Sequence, residues 1–412
     1  MNQIDTGWRP HRTASASPAR TAAVGTWRPG LLIAALFAGS TLLTPLYAAY
    51  QSAFGFGPLV LTLVYGAYVL GNLSALLWLG RLSDRLGRRP IALAALAIAA
   101  ASTLIFLAAN GPWALAAGRI LAGLGVGLGS GAGAAWVAEL ARGRGKTVAA
   151  RITTTVNFLG LAGGAAGAGL LAQFAPRPLS LVFLAYLAVL AISAWAVWRA
   201  RETVADAPPL RADVLKPRLG VPRDLRGQFV APGVAIFVSM AMVGFYAALA
   251  PGVTAAILHG QSPAVSGGVV AEFCIVTTLA ILASSRLSGR TAVLAGLALV
   301  PPGLAMLAAA SPLKSLWVQA GGAALGGAAV ALAYRGSLQA INAMAPQDGR
   351  AELTSAYLAC GFAGNALPVI GVGLLTGLIG AESAAWAFAA TLSVLAVGAL
   401  IWGVRQRPSK AA

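Results

Sequence analysis

Two ionisable side chains, Arg119 and Glu272, stand inside long apolar stretches of this chain. An acid and a base removed from water can exchange protons: burial disfavours the charge on a carboxylate, and an arginine brought near restores it. Glu272 is expected to take up and release a proton, with Arg119 modulating it. In a fixed Glu272–Arg119 bridge, or with Glu272 bonded to hydroxyls, the same residues would be structural. A second concentration of charge is GRLSDRLGRRP at 80–90, where Arg81, Arg85, Arg88, Arg89 and Asp84 interrupt apolar sequence.

The elements that must hold these residues follow from composition. Of 412 residues, 58% are hydrophobic and 10% charged, against about a quarter charged in a soluble domain. Mean hydropathy is +0.79. A helix needs about 20 apolar residues to cross the hydrocarbon core, and such segments occur at 31–50, 58–79, 91–110, 113–138, 148–173 and 178–198. A second set runs at 231–257, 264–284, 291–310, 312–334, 351–377 and 382–403. The expected layout is a basic tail (1–30), a six-helix bundle (31–198), a polar linker (199–230), a second six-helix bundle (231–404) and a short tail (405–412). An arginine within a bilayer costs at least about 2.5–3.5 kcal/mol unless paired or wet, so Arg119 must face protein or water.

The net charge of +18 would suit nucleic acid, but the basic residues lie in short connectors beside apolar segments, which is how membrane orientation is set. The tail (Arg9, Arg12, Arg20, Arg28), the linker (Arg199, Arg201, Arg211, Lys216, Arg218, Arg223, Arg226), the end (Arg405, Arg407, Lys410) and alternate loops carry them. Those loops hold Arg81, Arg85, Arg88 and Arg89; Arg142, Arg144, Lys146 and Arg151; Arg286 and Arg290; Arg335 and Arg350. The other connectors hold Arg177 and Lys314. Both termini are therefore expected in the cytoplasm of a multi-pass inner-membrane protein, with no nucleic-acid partner. The first apolar run is read as a retained helix.

Enzymatic chemistry finds little support. His11 and His259 lie away from helix cores, Cys274 and Cys360 lack metal-ligand spacing, and no HExxH, GxSxG or phosphate-binding Gly-Lys-Ser/Thr loop occurs. No catalytic residue, metal or cofactor is expected. A receptor that binds without transporting is a further rival.

The halves echo each other. RLSDR at 81–85 returns as RLSGR at 286–290, GK at 145–146 as GR at 349–350, and GLL at 169–171 as GLL at 373–375, spacings of 204 to 205 residues.

Topology, repeat and the motif at 80–90 together resemble the major facilitator superfamily, whose signature between helices 2 and 3 matches Gly80, Leu82, Asp84, Arg85, Gly87, Arg88 and Arg89. The resemblance covers about 31–404 and implies an all-α membrane fold of two pseudo-symmetric six-helix bundles, working as a monomer. It implies that Asp84 latches onto the start of helix 11 near Thr354 and Ser355, and that Arg88 pairs with Glu139. Gly289 stands where the second half would repeat Asp84, so the latch is expected on one side only. Arg119 and Gly123 fit the superfamily's helix 4 motif, whose arginine is assigned to proton transfer. Helix 5, NFLGLAGGAAGAG at 157–169, has the glycines of drug-exporting antiporters but not their proline.

By the same resemblance helices 1, 4, 7 and 10 line the cavity. Substrate-binding candidates are Tyr47 with Thr44 and Pro45, Tyr246 with Pro251, Gln319 and Tyr334; Asn72, Asn157 and Asn365 either touch substrate or bond across helices. Pro301, Pro302 and Pro368 are expected to kink their helices. The function implied is proton-coupled export of amphipathic or weakly cationic compounds, with proton-coupled uptake of a small metabolite as the alternative. The partners are a small-molecule substrate, protons and the lipid bilayer.

Overall fold

The computed structural model describes residues 18–80, 82–141, 145–204, 220–345 and 350–406, without the side chains of 18–24, 146–147 and 350–351. Trp8–Pro10, His11, Arg9, Arg12, Arg81, Arg142, Arg144, Arg211, Lys216, Arg218, Gly349, Arg407 and Lys410 lie outside the described residues, as do the side chains of Arg20, Lys146 and Arg350.

Among the described residues twelve helices are long and apolar enough to cross a membrane: α1 (Gly25–Phe54), α2 (Pro58–Leu79), α3 (Arg88–Leu107), α4 (Pro112–Leu140), α5 (Val148–Phe174) and α6 (Pro178–Trp198) in the first half. The second half has α7 (Arg223–Ala248), α8 (Pro263–Arg286), α9 (Gly289–Ala309), α10 (Leu316–Met344), α11 (Glu352–Ile379) and α12 (Ala381–Arg405). With an even number of crossings, α1 begins and α12 ends on one face, here the terminal face; the opposite face is the distal face. Four spans open at the distal face on proline at the first helical turn, Pro58, Pro112, Pro178 and Pro263. Proline suits that position because its fixed φ is helical and the missing N–H had no partner there.

Two apolar cores, one built mainly from α1–α6 and one mainly from α7–α12, give the two-bundle architecture. Glycines set how closely the helices approach. A Cβ at Gly160 or Gly164 would overlap the α1 backbone at Ala34 and Ala38, and one at Gly364 would overlap α7 at Phe237. Backbones in such contact gain packing that larger side chains would prevent. The halves meet through α2 against α11 and α5 against α8. The glycine contacts across this seam, Thr62 on Gly373, Gly66 on Ile370, Ala165 on Gly267 and Gly169 on Pro263, lie in the distal part of these helices.

Several boundaries differ from the sequence expectation. The first helix starts at Pro18, inside the expected tail. Thr26 is buried there, and Arg28 donates to the Arg199 carbonyl at 2.5 Å, so this turn is anchored to the end of α6. The seventh helix starts within the expected linker, because Val221, Leu225 and Phe229 pack against Ile236 and Tyr357. The first helix of each half also breaks. A 3-10 turn at Thr44–Leu46 carries Pro45, and a helix over Ala250–Leu258 carrying Pro251 restarts after Leu249. The breaks touch: the Thr44 hydroxyl donates to the Ala247 carbonyl at 2.7 Å, across the two halves. Both α9, with Pro301 and Pro302, and α11, with Pro368, continue as helix through their prolines.

Candidate functional site

Arg119 is fully buried in α4. Four residues on, Gly123 lies so close to α2 that a Cβ would overlap the Tyr68 carbonyl. This close approach brings α2 tyrosines beside the guanidinium, whose carbon sits 5.4 Å from the ring centre of Tyr47 and 5.7 Å from those of Tyr65 and Tyr68. Aromatic faces carry negative potential, so three rings partly replace the missing solvation of the cation. Nη1 donates to the Ser40 carbonyl at 2.7 Å, and Nη2 donates to the Tyr47 hydroxyl. Nε has no hydrogen-bond partner. No ion pair joins Arg119 to an acid among the described residues.

The cage reaches across the halves. The Tyr65 hydroxyl donates to Asn365 Oδ1 at 2.9 Å, and Asn365 Nδ2 donates to the Met240 carbonyl at 3.2 Å, linking α2 through α11 to α7. Asn72 donates to the Tyr68 hydroxyl at 3.5 Å. Its Oδ1 is one of six buried polar atoms without hydrogen-bond partners among the described residues, with Arg28 Nε, Arg119 Nε, Asn157 Oδ1, Tyr246 Oη and Arg335 Nη1. Buried polar groups are nearly always bonded, which sets the orphans on α2, α4, α5 and α7, at Asn72, Arg119, Asn157 and Tyr246, apart from the rest of the buried polar atoms.

Tyr246 is buried with its ring stacked on Phe273, 4.3 Å between centroids, next in sequence to Glu272. Glu272 itself is half-buried and makes no hydrogen bond or ion pair among the described residues. It shares a helical face with Ile275 and Leu279, both exposed. The structure thus places Glu272 and Arg119 in separate halves without direct contact. Tyr334 packs edge-on against Phe158, with centroids 6.5 Å apart, next to Asn157 in sequence. Gln319 is fully buried, but its amide bonds Thr254 at 2.9 Å and the Ala250 carbonyl at 3.3 Å. Those bonds hold α10 to the helix after the α7 break. His259 ends that helix in a left-handed conformation.

At the terminal face the charged motif forms a network. Arg88, 6% exposed, bonds Asp84 at 2.6 Å, Ser83 at 2.7 Å and Glu139 at 2.8 Å. Asp84 is half-exposed and turns back to Arg88 four residues on, and no hydrogen bond joins it to Thr354 or Ser355 among the described residues. The short helical turn Ser83–Leu86 places the carboxylate beside that guanidinium. Arg89 lies over Trp198 at 5.9 Å. Arg85 is half-buried, and Gly80 ends the π-helical turn Ala75–Leu79.

Sequence reasoning missed Glu202. Its carboxylate accepts from the backbone N–H groups of Arg88 at 3.0 Å and Arg89 at 2.8 Å, and so caps α3. Gly87, at φ +96°, leaves room where a Cβ would press on the Glu202 carboxylate. Partial burial opposes ionisation of Glu202. The N–H groups of Arg89, Val204, Arg88 and Thr203 outweigh it and hold the carboxyl below its ordinary range. Thr203 also donates to Glu139, and Trp136 donates to the Arg201 carbonyl at 3.1 Å. Residues 199–204 are thus strapped to the first half. An acid directly after an apolar helix, beside Thr203, was the available signal.

The family model described as Major Facilitator Superfamily matches residues 30–367. A search of curated proteins found no match. Among solved structures, a mutant of the nucleoside transporter NupG superposes with a TM-score of 0.70 at 15% identity, covering 92% of this chain and 99% of that one. A bacterial homologue of the human lysosomal transporter Spinster, inward-facing and unoccupied, gives 0.69 at 15% identity, covering 96% and 100%. Its occupied form gives 0.69 at 16%.

Proposed function

Because the chain belongs to the Major Facilitator Superfamily, and is a membrane transporter and not an enzyme, we propose that its halves rock about the caged arginine to export amphipathic or weakly cationic compounds in exchange for protons. The observation carrying this reading is the unbroken path from Arg119 through the Tyr65 ring to Asn365. A proton or ligand arriving at the cage acts on a hydrogen bond that joins the halves, so occupancy and rocking are coupled. Glu272 supplies the exchangeable proton, and the orphan atoms on Asn157 and Tyr246 receive substrate or water. Alternating access of this kind places the binding site between the repeats.

Tight packing at the distal face and an Asp84 not engaged with α11 suit a state closed distally. With the terminal face cytoplasmic, as the basic loops favour, such a state would load from the cytoplasm. The protein is proposed to work as a monomer in the inner membrane with both termini cytoplasmic. A second reading, proton-coupled uptake of a small metabolite, draws on one observation: Arg119 repels a cation but offers Nε to an anionic group.

Flux of candidate solutes in proteoliposomes under an imposed pH gradient tests the proposal. Glu272→Gln should retain solute exchange while losing its response to the gradient. Unchanged coupling in that variant rejects Glu272 as the proton site, and accumulation rather than expulsion selects the uptake reading.

A further inference from the structure

The acids that organise the terminal face of the first half have no counterparts in the second. Asp84 corresponds to Gly289 within RLSGR, and the positions 204 residues beyond Glu139 and Glu202 are Ala343 and Gln406. A cation is still present: the repeat pairs Arg290 with Arg85, and Arg290 stands in the first turn of α9, the place that Arg88 holds in α3. In the first half three carboxylates fill the corner around Arg88. In the second half the corresponding corner is hollow, a cavity of about 360 Å³ lined by Gln228, Arg290, Val293, Leu294, Met344 and Gln406, with no carboxylate on its wall among the described residues.

Arg290 is only partly used. Nη2 donates to the carbonyls of Gly403 at 3.1 Å, Val404 at 3.2 Å and Gln406 at 2.7 Å, which pins it to the end of α12. Nη1 and Nε make no hydrogen bond among the described residues, and the residue is exposed. The guanidinium fork is therefore fixed in place with donors to spare, and such a fork fits the oxygens of a phosphate. The surroundings favour a lipid as the carrier of that phosphate. The rest of the cavity is largely apolar, and beside it α12 exposes Ile401, Trp402 and Val404. Tryptophan at the end of a span marks headgroup depth.

We propose that this corner of α7, α9 and α12 binds the phosphate of an anionic membrane lipid, which takes the place of the carboxylates that the first half supplies from its own chain. The occupant would brace α9 against α12 as Glu202 and Glu139 brace α3 against α4 and α6. The site is remote from Arg119 and does not depend on the transport reading.

Native mass spectrometry and thermal unfolding of the full chain, stripped of lipid and titrated with phosphatidylglycerol, phosphatidylcholine or inorganic phosphate, test the proposal. Phosphatidylglycerol should bind and raise the unfolding temperature while phosphatidylcholine does neither. Arg290→Gln should weaken phosphatidylglycerol at least about tenfold, the scale of one lost charge-assisted bond. Gln406→Glu should abolish the lipid response, since it restores a carboxylate to the corner, while losing the bond that the Gln406 amide donates to the Gly227 carbonyl. Arg286→Gln, a cation of the same loop outside the cavity, should change nothing. Equal loss in Arg286→Gln would mean diffuse attraction and overturn the site. So would a full effect of inorganic phosphate alone, or a lipid response intact in both Arg290→Gln and Gln406→Glu.

Discussion

Arg119 donates one guanidinium N–H to the hydroxyl of Tyr47, and no carboxylate pairs with either side chain among the described residues. A cation enclosed in this way depends on neutral partners and ring faces, so each partner carries more weight than it would beside an acid.

Tyr47→Phe removes an acceptor and keeps the ring. It leaves a buried, charged donor unsatisfied, which costs about 1–3 kcal/mol or more. A fall in unfolding temperature of the purified protein checks this. Tyr186→Phe, whose hydroxyl bonds the Ala35 carbonyl, loses a neutral bond and should fall less.

Gly123→Val places a branched side chain where even a Cβ meets the Tyr68 carbonyl. The backbones of α2 and α4 must separate, and overpacking of this kind costs about 1–3 kcal/mol or more. Gly131→Val, on the same helix with open space around it, should be tolerated. Comparing the yield and unfolding temperature of the two variants separates close approach from a general intolerance of side chains on α4.

The two bridges of Arg88 should differ in strength. Asp84 is 55% exposed and Glu139 is 18% exposed. Exposed pairs contribute about 0–1 kcal/mol, whereas breaking a buried pair costs about 3–5 kcal/mol. Glu139→Gln should therefore destabilise clearly more than Asp84→Asn when unfolding is followed in one detergent. Equal effects would show that exposure does not govern this network.

Glu202→Gln tests the cap on α3. Losing a capping carboxylate costs about 1 kcal/mol. The carboxyl of Glu202 is held below its ordinary range in the fold. Its contribution is therefore complete above the unfolded value, about pH 4.3, and disappears as pH falls through the lower folded value. Stability measured from pH 7 downward should show the difference from the unaltered chain narrowing only in acid.

Much of this architecture is legible in the sequence. Each span announces itself as about 20 apolar residues between charged or proline-bearing connectors, because lipid solvates neither a free backbone nor an unpaired charge. The repeat spacing and the motif at 80–90 predicted the two bundles, and the expected Arg88–Glu139 pair stands at 2.8 Å. Boundaries were less legible where a polar residue sits at the end of a helix. Arg223 and Arg226 read as linker, yet they open α7 because Leu225 and Phe229 find apolar partners.

Sequence alone determined that Arg119 had to be enclosed and that Glu272 stood apart from water. Only the tertiary structure decided with whom. The cage of Ser40, Tyr47, Tyr65 and Tyr68 assembles from α1 and α2 against α4, and Gly123 sets the distance at which it closes. Asp84 turning back to Arg88, Glu202 capping α3 and the hollow corner at Arg290 are likewise decided by which backbones touch. Hydropathy is a property of each segment by itself and survives in the order of residues. The partner of a buried charge is a property of contacts between segments, fixed only once the helices pack.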